Sequence, residues 1–300
     1  MGQIRILDGG MGRQLAKIGA PFRMPEWSAL ALIEAPDLVE EAHRQFIASG
    51  AEIITTNSYS ILPHQIGDTY FAANAQRLAD LAGRLARRAA GKNVLVAGSL
   101  PPLFGSYKPQ NFDAARAPTI LKLLIDGLSP HVDHWLVETQ SSVAEMRAAV
   151  SALVGSAKPL WVSYTLKDEI GRAQPPELRS GEAVAAAAYA AVEAGAVAVL
   201  FNCSQPEVMA PAIRSAADTL RSLGRGDVAI GVYANTFEAE EVSDAAYAGI
   251  SVLRQDLRPQ RYLDLVKVWI DSGATIVGGY CGIGPEHIAA IAAHIGRDAA

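Results

Sequence analysis

One pattern constrains this chain more than any other. A short apolar run, a polar or glycine-rich stretch and an alanine-rich amphipathic segment follow one another repeatedly, without close sequence repeats. The apolar runs fall at residues 4–7, 52–56, 94–97, 134–137, 160–164, 196–201, 228–232 and 274–277. Between them lie helical patterns, among them 36–49, 72–90, 117–129, 143–154, 181–194, 208–223, 244–248 and 259–272. Several of these end in a glycine, namely Gly50, Gly91, Gly195 and Gly273, as expected of a left-handed helix C-cap. Strands that are apolar throughout and alternate with helices imply a parallel sheet covered on both faces. Eight of them in 300 residues predict an α/β fold, a single (β/α)8 TIM barrel spanning residues 1–300 as one domain. An open doubly wound sheet is the competing architecture; no Gly-x-Gly-x-x-Gly follows any strand, which favours the barrel.

Composition narrows the function. Half the residues are hydrophobic and 19% are charged, enough to bury a large core. A net charge of −5 without any block of Lys or Arg argues against nucleic acid or an anionic membrane as partner. The most apolar stretch, residues 183–201, contains Glu193 and Gly195 and reads as helix, turn and strand, not as a membrane span. The start of the chain lacks the pattern of a targeting signal. Two cysteines, Cys203 and Cys281, cannot make a disulfide framework and suit a reducing compartment. They also rule out a metal site of three or four cysteines from one chain. The expectation is a soluble cytoplasmic protein whose oligomeric state no sequence feature specifies.

A parallel barrel carries its chemistry at the carboxyl ends of its strands. Reading those ends collects Asp8-Gly9-Gly10, Thr55-Thr56-Asn57, Gly98-Ser99, Glu138-Thr139, Asn202-Cys203, Tyr233-Ala234-Asn235 and Gly278-Gly279-Tyr280-Cys281. Both cysteines therefore fall on one rim. Asp8 could equally cap the helix after it. Glu138, at the end of a buried apolar run, needs a partner and favours a ligand-binding role. The glycines serve either tight turns or close approach of a ligand to backbone N–H groups. Isolated cysteines are usually small buried hydrophobes, but two on the functional rim also suit a soft-metal or thiol site. Among the histidines, His134 starts its strand at the opposite end, and His287 fits helix capping or a surface position. His43, His131 and His294 look like ordinary helix or loop residues.

The chain resembles the homocysteine S-methyltransferases, zinc-dependent thiol methyltransferase barrels, over essentially its whole length. The markers are Leu7-Asp8-Gly9-Gly10-Met11-Gly12, Ile54-Thr55-Thr56-Asn57-Ser58-Tyr59, Val96-Ala97-Gly98-Ser99, Glu138-Thr139-Gln140, Phe201-Asn202-Cys203 and Gly278-Gly279-Tyr280-Cys281-Gly282-Ile283-Gly284-Pro285-Glu286-His287-Ile288. The resemblance implies a zinc site containing Cys203 and Cys281. It implies that Asp8 and Glu138 hold the amino group of homocysteine, with Gly9 and Gly10 at its carboxylate and Thr56, Asn57 and Asn235 on the wall. It also implies methyl transfer from a small onium donor, S-methylmethionine, S-adenosylmethionine or similar, to a zinc-activated thiol. Free small-molecule donors are expected, since 300 residues leave no room for folate and cobalamin modules.

The chain departs from the family at one ligand: where the family has Cys-Cys, it has Tyr280-Cys281. Three readings follow. In the first, zinc is kept by Cys203, Cys281 and an oxygen or nitrogen donor, with the Tyr280 phenolate the nearest candidate and His64 another. Coordination would favour the ionised phenol and keep the ligand charge of three thiolates. In the second, the metal is weak or lost, and the pocket binds an amino-acid-like ligand or runs a diverged methyl transfer. In the third, the protein is an inactive relative. The first is the expectation carried forward.

Overall fold

Successive residues of a strand face opposite ways, so a strand that is apolar throughout needs cover on both sides. One sheet of eight parallel strands provides it in the computed structural model, which describes residues 3–169, 175–238 and 252–296. The strands are β1 (Arg5–Ile6), β2 (Ile53–Thr55), β3 (Leu95–Leu100), β4 (His134–Gln140), β5 (Leu160–Tyr164), β6 (Ala198–Asn202), β7 (Ala229–Tyr233) and β8 (Ile276–Val277). Around them run α1 (Met11–Lys17), α2 (Ser28–Glu34), α3 (Pro36–Ala48), α4 (Pro63–Ile66), α5 (Asp68–Ala90) and α6 (Ala117–Leu128). The series continues with α7 (Val143–Ala152), α8 (Val184–Glu193), α9 (Met209–Ser222), α10 (Pro259–Asp271) and α11 (Pro285–Ile295). Each strand pairs with its sequence neighbours, β8 pairs with β1, and a parallel bridge from Leu7 to Ile53 joins β1 to β2. The barrel is thereby closed, as the strand pattern predicts.

Two apolar layers result. Outward-facing residues such as Trp135, Val137 and Phe201 join the helices in the larger core. Leu7, Ile53, Ala97, Leu136, Ala198, Leu200, Tyr233 and Ile276 fill the barrel interior. Gly231 makes room there: a Cβ on it would lie 2.7 Å from the Leu200 side chain. The alternation then aims the site. Glu138 stands two residues beyond Leu136, and Ser99 two beyond Ala97, so both project toward the barrel axis at its carboxyl end.

The boundaries differ from expectation in instructive places. β3 and β4 run on to Leu100 and Gln140 although Ser99, Glu138 and Gln140 are polar. Their side chains are satisfied inside the barrel mouth, so polarity does not end the strand. α8 starts at Val184 because Gly181, with φ +92°, and Glu182 belong to a turn in which Leu178 N–H bonds the Glu182 carbonyl. The four expected helix-ending glycines all take positive φ. His134 packs against Trp161 with ring centroids 4.1 Å apart, outside the site cavity. His287 caps α11, accepting from Gly284 N–H at 3.3 Å, and is buried. The helix expected at 244–248 lies outside the described residues.

Candidate active site

The carboxyl ends of the strands surround a cavity of about 510 Å³. Its floor carries the two acids. Asp8 stands two residues beyond β1 and accepts from Thr55 N–H at 2.8 Å and the Thr55 hydroxyl at 3.2 Å. Glu138 accepts from the Ser99 hydroxyl at 2.5 Å and the Tyr233 hydroxyl at 3.2 Å. Both are buried, 5% and 2% exposed. Burial pushes the Asp8 carboxyl up to about 8, with the Glu138 charge adding to the rise and Thr55 opposing it. Burial likewise pushes Glu138 up to about 7, against the hydroxyls of Ser99 and Tyr233. Two buried acids with no cation beside them among the described residues favour an ammonium group entering the cavity, since it would restore the ionised form of both.

The thiols occupy another part of the same cavity. Cys203 follows β6 with φ +52°, a costly conformation for a residue with a Cβ. Its carbonyl accepts from the Thr165 hydroxyl at 3.1 Å. Burial raises its thiol well above the usual range, and the neighbouring Cys281 thiol raises it further. Cys281 comes from the loop after β8. The Tyr107 hydroxyl lies 2.5 Å from Cys203 Sγ, delivered by the loop after β3. Tyr280 sits edge-on to Tyr233 and Tyr59, with centroids 5.5 and 6.4 Å away, and its hydroxyl accepts from the Thr139 hydroxyl at 3.4 Å.

Among the described residues no third His, Cys, Asp or Glu joins the two sulfurs. His64 lines the cavity but completes no such cluster. What the site does offer is two sulfurs and a phenol oxygen facing open space. That donor set fits a borderline-soft cation such as zinc, which takes three protein ligands in a reactive site and leaves one position open.

All the sequence-predicted residues meet at this cavity: Asp8, Gly9, Gly10, Thr56, Asn57, Glu138, Cys203, Asn235, Tyr280 and Cys281 line it. Several of them also brace the frame of the site. The Gly10 N–H donates to the Ile283 carbonyl at 2.8 Å. A Cβ there would meet the Tyr280 carbonyl at 2.4 Å, which is why glycine occupies the position. Thr56 accepts from Ser99 N–H at 3.0 Å and shares a hydrogen bond with Ser58, bracing β2 against β3. Asn57 donates to the Ser28 carbonyl at 3.1 Å. Asn235 Oδ1, though buried, has no hydrogen-bond partner among the described residues.

Sequence reasoning missed Ser99 and Tyr233 as partners of Glu138, although two-residue alternation along β3 and β7 would have found them. It also missed Tyr107, Arg179 and Asp168. Arg179 stacks 4.8 Å from the Tyr107 ring centroid and pairs with Asp168 at 2.6 Å. These three sit in loops at distances from the strand ends that no periodicity reports.

The family model for homocysteine S-methyltransferase matches residues 5–295. Homocysteine S-methyltransferase of Escherichia coli is 26% identical over 97% of this chain and 94% of its own length. Homocysteine S-methyltransferase 3 of Arabidopsis thaliana is 25% identical over 97% and 89%. A selenocysteine methyltransferase of Astragalus bisulcatus is 24% identical over 97% and 92%. Among solved structures, the metallated form of the homocysteine methyltransferase MmuM from Escherichia coli superposes with a TM-score of 0.76. That alignment is 24% identical and covers 98% of this chain and 96% of the other. The two share the fold.

Proposed function

The chain belongs to the homocysteine S-methyltransferase family of methyltransferase enzymes, and we propose that it transfers a methyl group from a small onium donor to a thiol amino acid. S-methylmethionine or S-adenosylmethionine suits the donor, and homocysteine, giving methionine, suits the acceptor. One observation carries the reading: the buried acids Asp8 and Glu138 share a cavity with the thiols Cys203 and Cys281. An amino acid bearing a thiol at its far end satisfies both groups at once. Its ammonium meets the two carboxylates, and its sulfur reaches the cysteine side.

The rest of the cavity orients the acceptor. Asn235 Oδ1 supplies a further acceptor, and Gly9 stands where a carboxylate can approach the backbone. Cys203, Cys281 and a tyrosine phenol, Tyr280 in the position of the missing cysteine or another, would hold zinc. A zinc ion held by them would supply the Lewis acidity that favours the thiolate form of the acceptor at neutral pH. The enzyme's own share is alignment: both substrates enter one enclosed space, with the acceptor anchored at its ammonium end, so in-line transfer becomes effectively intramolecular.

The two cysteines form no disulfide, and we place the protein in the cytoplasm. Among the described residues no helix is long and apolar enough to cross a membrane.

The test is methionine formation from L-homocysteine with each donor, alongside zinc content after purification without added metal. Methionine formation and near-stoichiometric zinc, both lost on Cys203→Ala or Cys281→Ala, are the expected results. Zinc-free protein that binds an amino acid without methyl transfer would instead identify a non-catalytic binding barrel.

A further inference from the structure

We propose that the third protein donor to the metal is the Tyr107 hydroxyl, brought in by the loop after β3, and not the hydroxyl of Tyr280. The inference rests on the zinc reading above and names a ligand that sequence position does not suggest.

Three observations carry it. The Tyr107 oxygen already lies 2.5 Å from Cys203 Sγ, and Cys281 lines the same cavity beside them, so two sulfurs and this oxygen share one part of the site. Tyr280 lines the same cavity, but its hydroxyl is turned to a different partner: its ring packs edge-on to Tyr59 and Tyr233, and its hydroxyl meets Thr139, which in turn accepts from Asn202 Nδ2 at 2.7 Å. Tyr107 also has a backbone φ of +64°, which a tyrosine adopts only when its surroundings impose it. Arg179 stacks on the ring while anchored to Asp168. Strain of this kind, in a loop aimed at a thiol pair, marks a positioned ligand. Two thiolates and a phenolate would give the ion the charge that three thiolates supply.

The experiment is a zinc titration against a chromophoric chelator, with the near-ultraviolet tyrosinate band recorded in parallel. It compares the full-length protein with Tyr107→Phe, Tyr280→Phe, Tyr280→Cys and the combined Tyr280→Cys/Tyr107→Phe. Tyr107→Phe is expected to weaken zinc by more than the roughly 10–100-fold that loss of an outer-shell partner causes. It should also abolish the tyrosinate band, while Tyr280→Phe keeps both band and affinity. In the Tyr280→Cys background the restored thiol replaces the phenol, so adding Tyr107→Phe has little further effect, a non-additivity that a merely structural role would not produce. Circular dichroism of each variant checks the fold. Should Tyr107→Phe fail to fold, the band in Tyr280→Phe decides without touching Tyr107, and its loss there overturns the assignment. Tight zinc binding that Tyr107→Phe leaves unchanged overturns the assignment alone. A native protein that binds no zinc, beside a Tyr280→Cys variant that does, overturns both it and the zinc reading.

Discussion

Asp8 and Glu138 should make the metal-free protein less stable as neutral solution turns alkaline. Their ordinary values of 3.8 and 4.5 rise in the fold to about 8 and about 7, chiefly through burial. An acid raised on folding keeps its proton in the native state at a pH where the unfolded chain has lost it. The native state therefore binds more protons than the unfolded one between roughly pH 4 and 8, and stability falls with pH across that interval. His43 and His134 act in the opposite sense. Burial lowers them to about 3 and about 4, so they destabilise the fold as pH drops below 6.5 and offset the acids on that side. The net decline emerges above pH 6.5. From there to pH 8, one retained proton on Asp8, at about 1.36 kcal/mol per pH unit, amounts to about 2 kcal/mol. Glu138, whose excess proton is lost near pH 7, adds a fraction of that. The two titrate as a coupled pair, so the expected quantity is their joint fall of about 2–3 kcal/mol. Urea unfolding of chelator-treated protein, followed by tryptophan fluorescence at several pH values, measures it. Subtracting the same series for Asp8→Asn/Glu138→Gln cancels the histidines and thiols. A saturating thiol amino acid, whose ammonium favours both ionised acids, should flatten the slope. A difference curve that is flat, or that rises with pH, would refute the account of the acid pair.

Three further outcomes follow from named contacts. Ser99→Ala removes the hydroxyl donor from Glu138; kcat/KM for the amino-acid acceptor should fall about 10- to 100-fold, the worth of a hydrogen bond to a charged group. The acid limb of its pH profile should move to higher pH, because Glu138 then ionises later. Gly10→Ala drives a Cβ to 2.4 Å from the Tyr280 carbonyl, so thermal melting should show a loss of about 1–3 kcal/mol, and zinc affinity should drop as the Tyr280-Cys281 loop shifts. His43 is buried with neither ring nitrogen hydrogen-bonded among the described residues. His43→Leu should therefore stabilise the protein, by about 1–3 kcal/mol at neutral pH and by more at pH 5, where the unfolded imidazole is protonated and the native one is not. Equal gains at both pH values would contradict that sign.

Much of the barrel was legible because burial on two faces is written locally, in runs such as residues 160–164, which form β5. The same logic placed Asp8, Glu138, Cys203 and Cys281 on one rim, and the structure gathers them around one cavity. Local reading failed where a residue's role is set by a distant partner. It ended β3 and β4 too early, because it had no view of the hydroxyls that satisfy Glu138. Nor could it see that the Gly10 amide donates to the Ile283 carbonyl.

The surroundings of the two thiols show the division most clearly. Sequence alone established that the chain has only two thiols, and the family resemblance implies that Tyr280 stands where a third would be. Only the tertiary structure could decide which oxygen lies beside those thiols. Tyr107 and Cys203 are 96 residues apart, and their approach depends on barrel closure, on a strained loop and on an arginine packed over the ring. Such a contact is the sum of many distant packing choices, and no spacing along the chain records it.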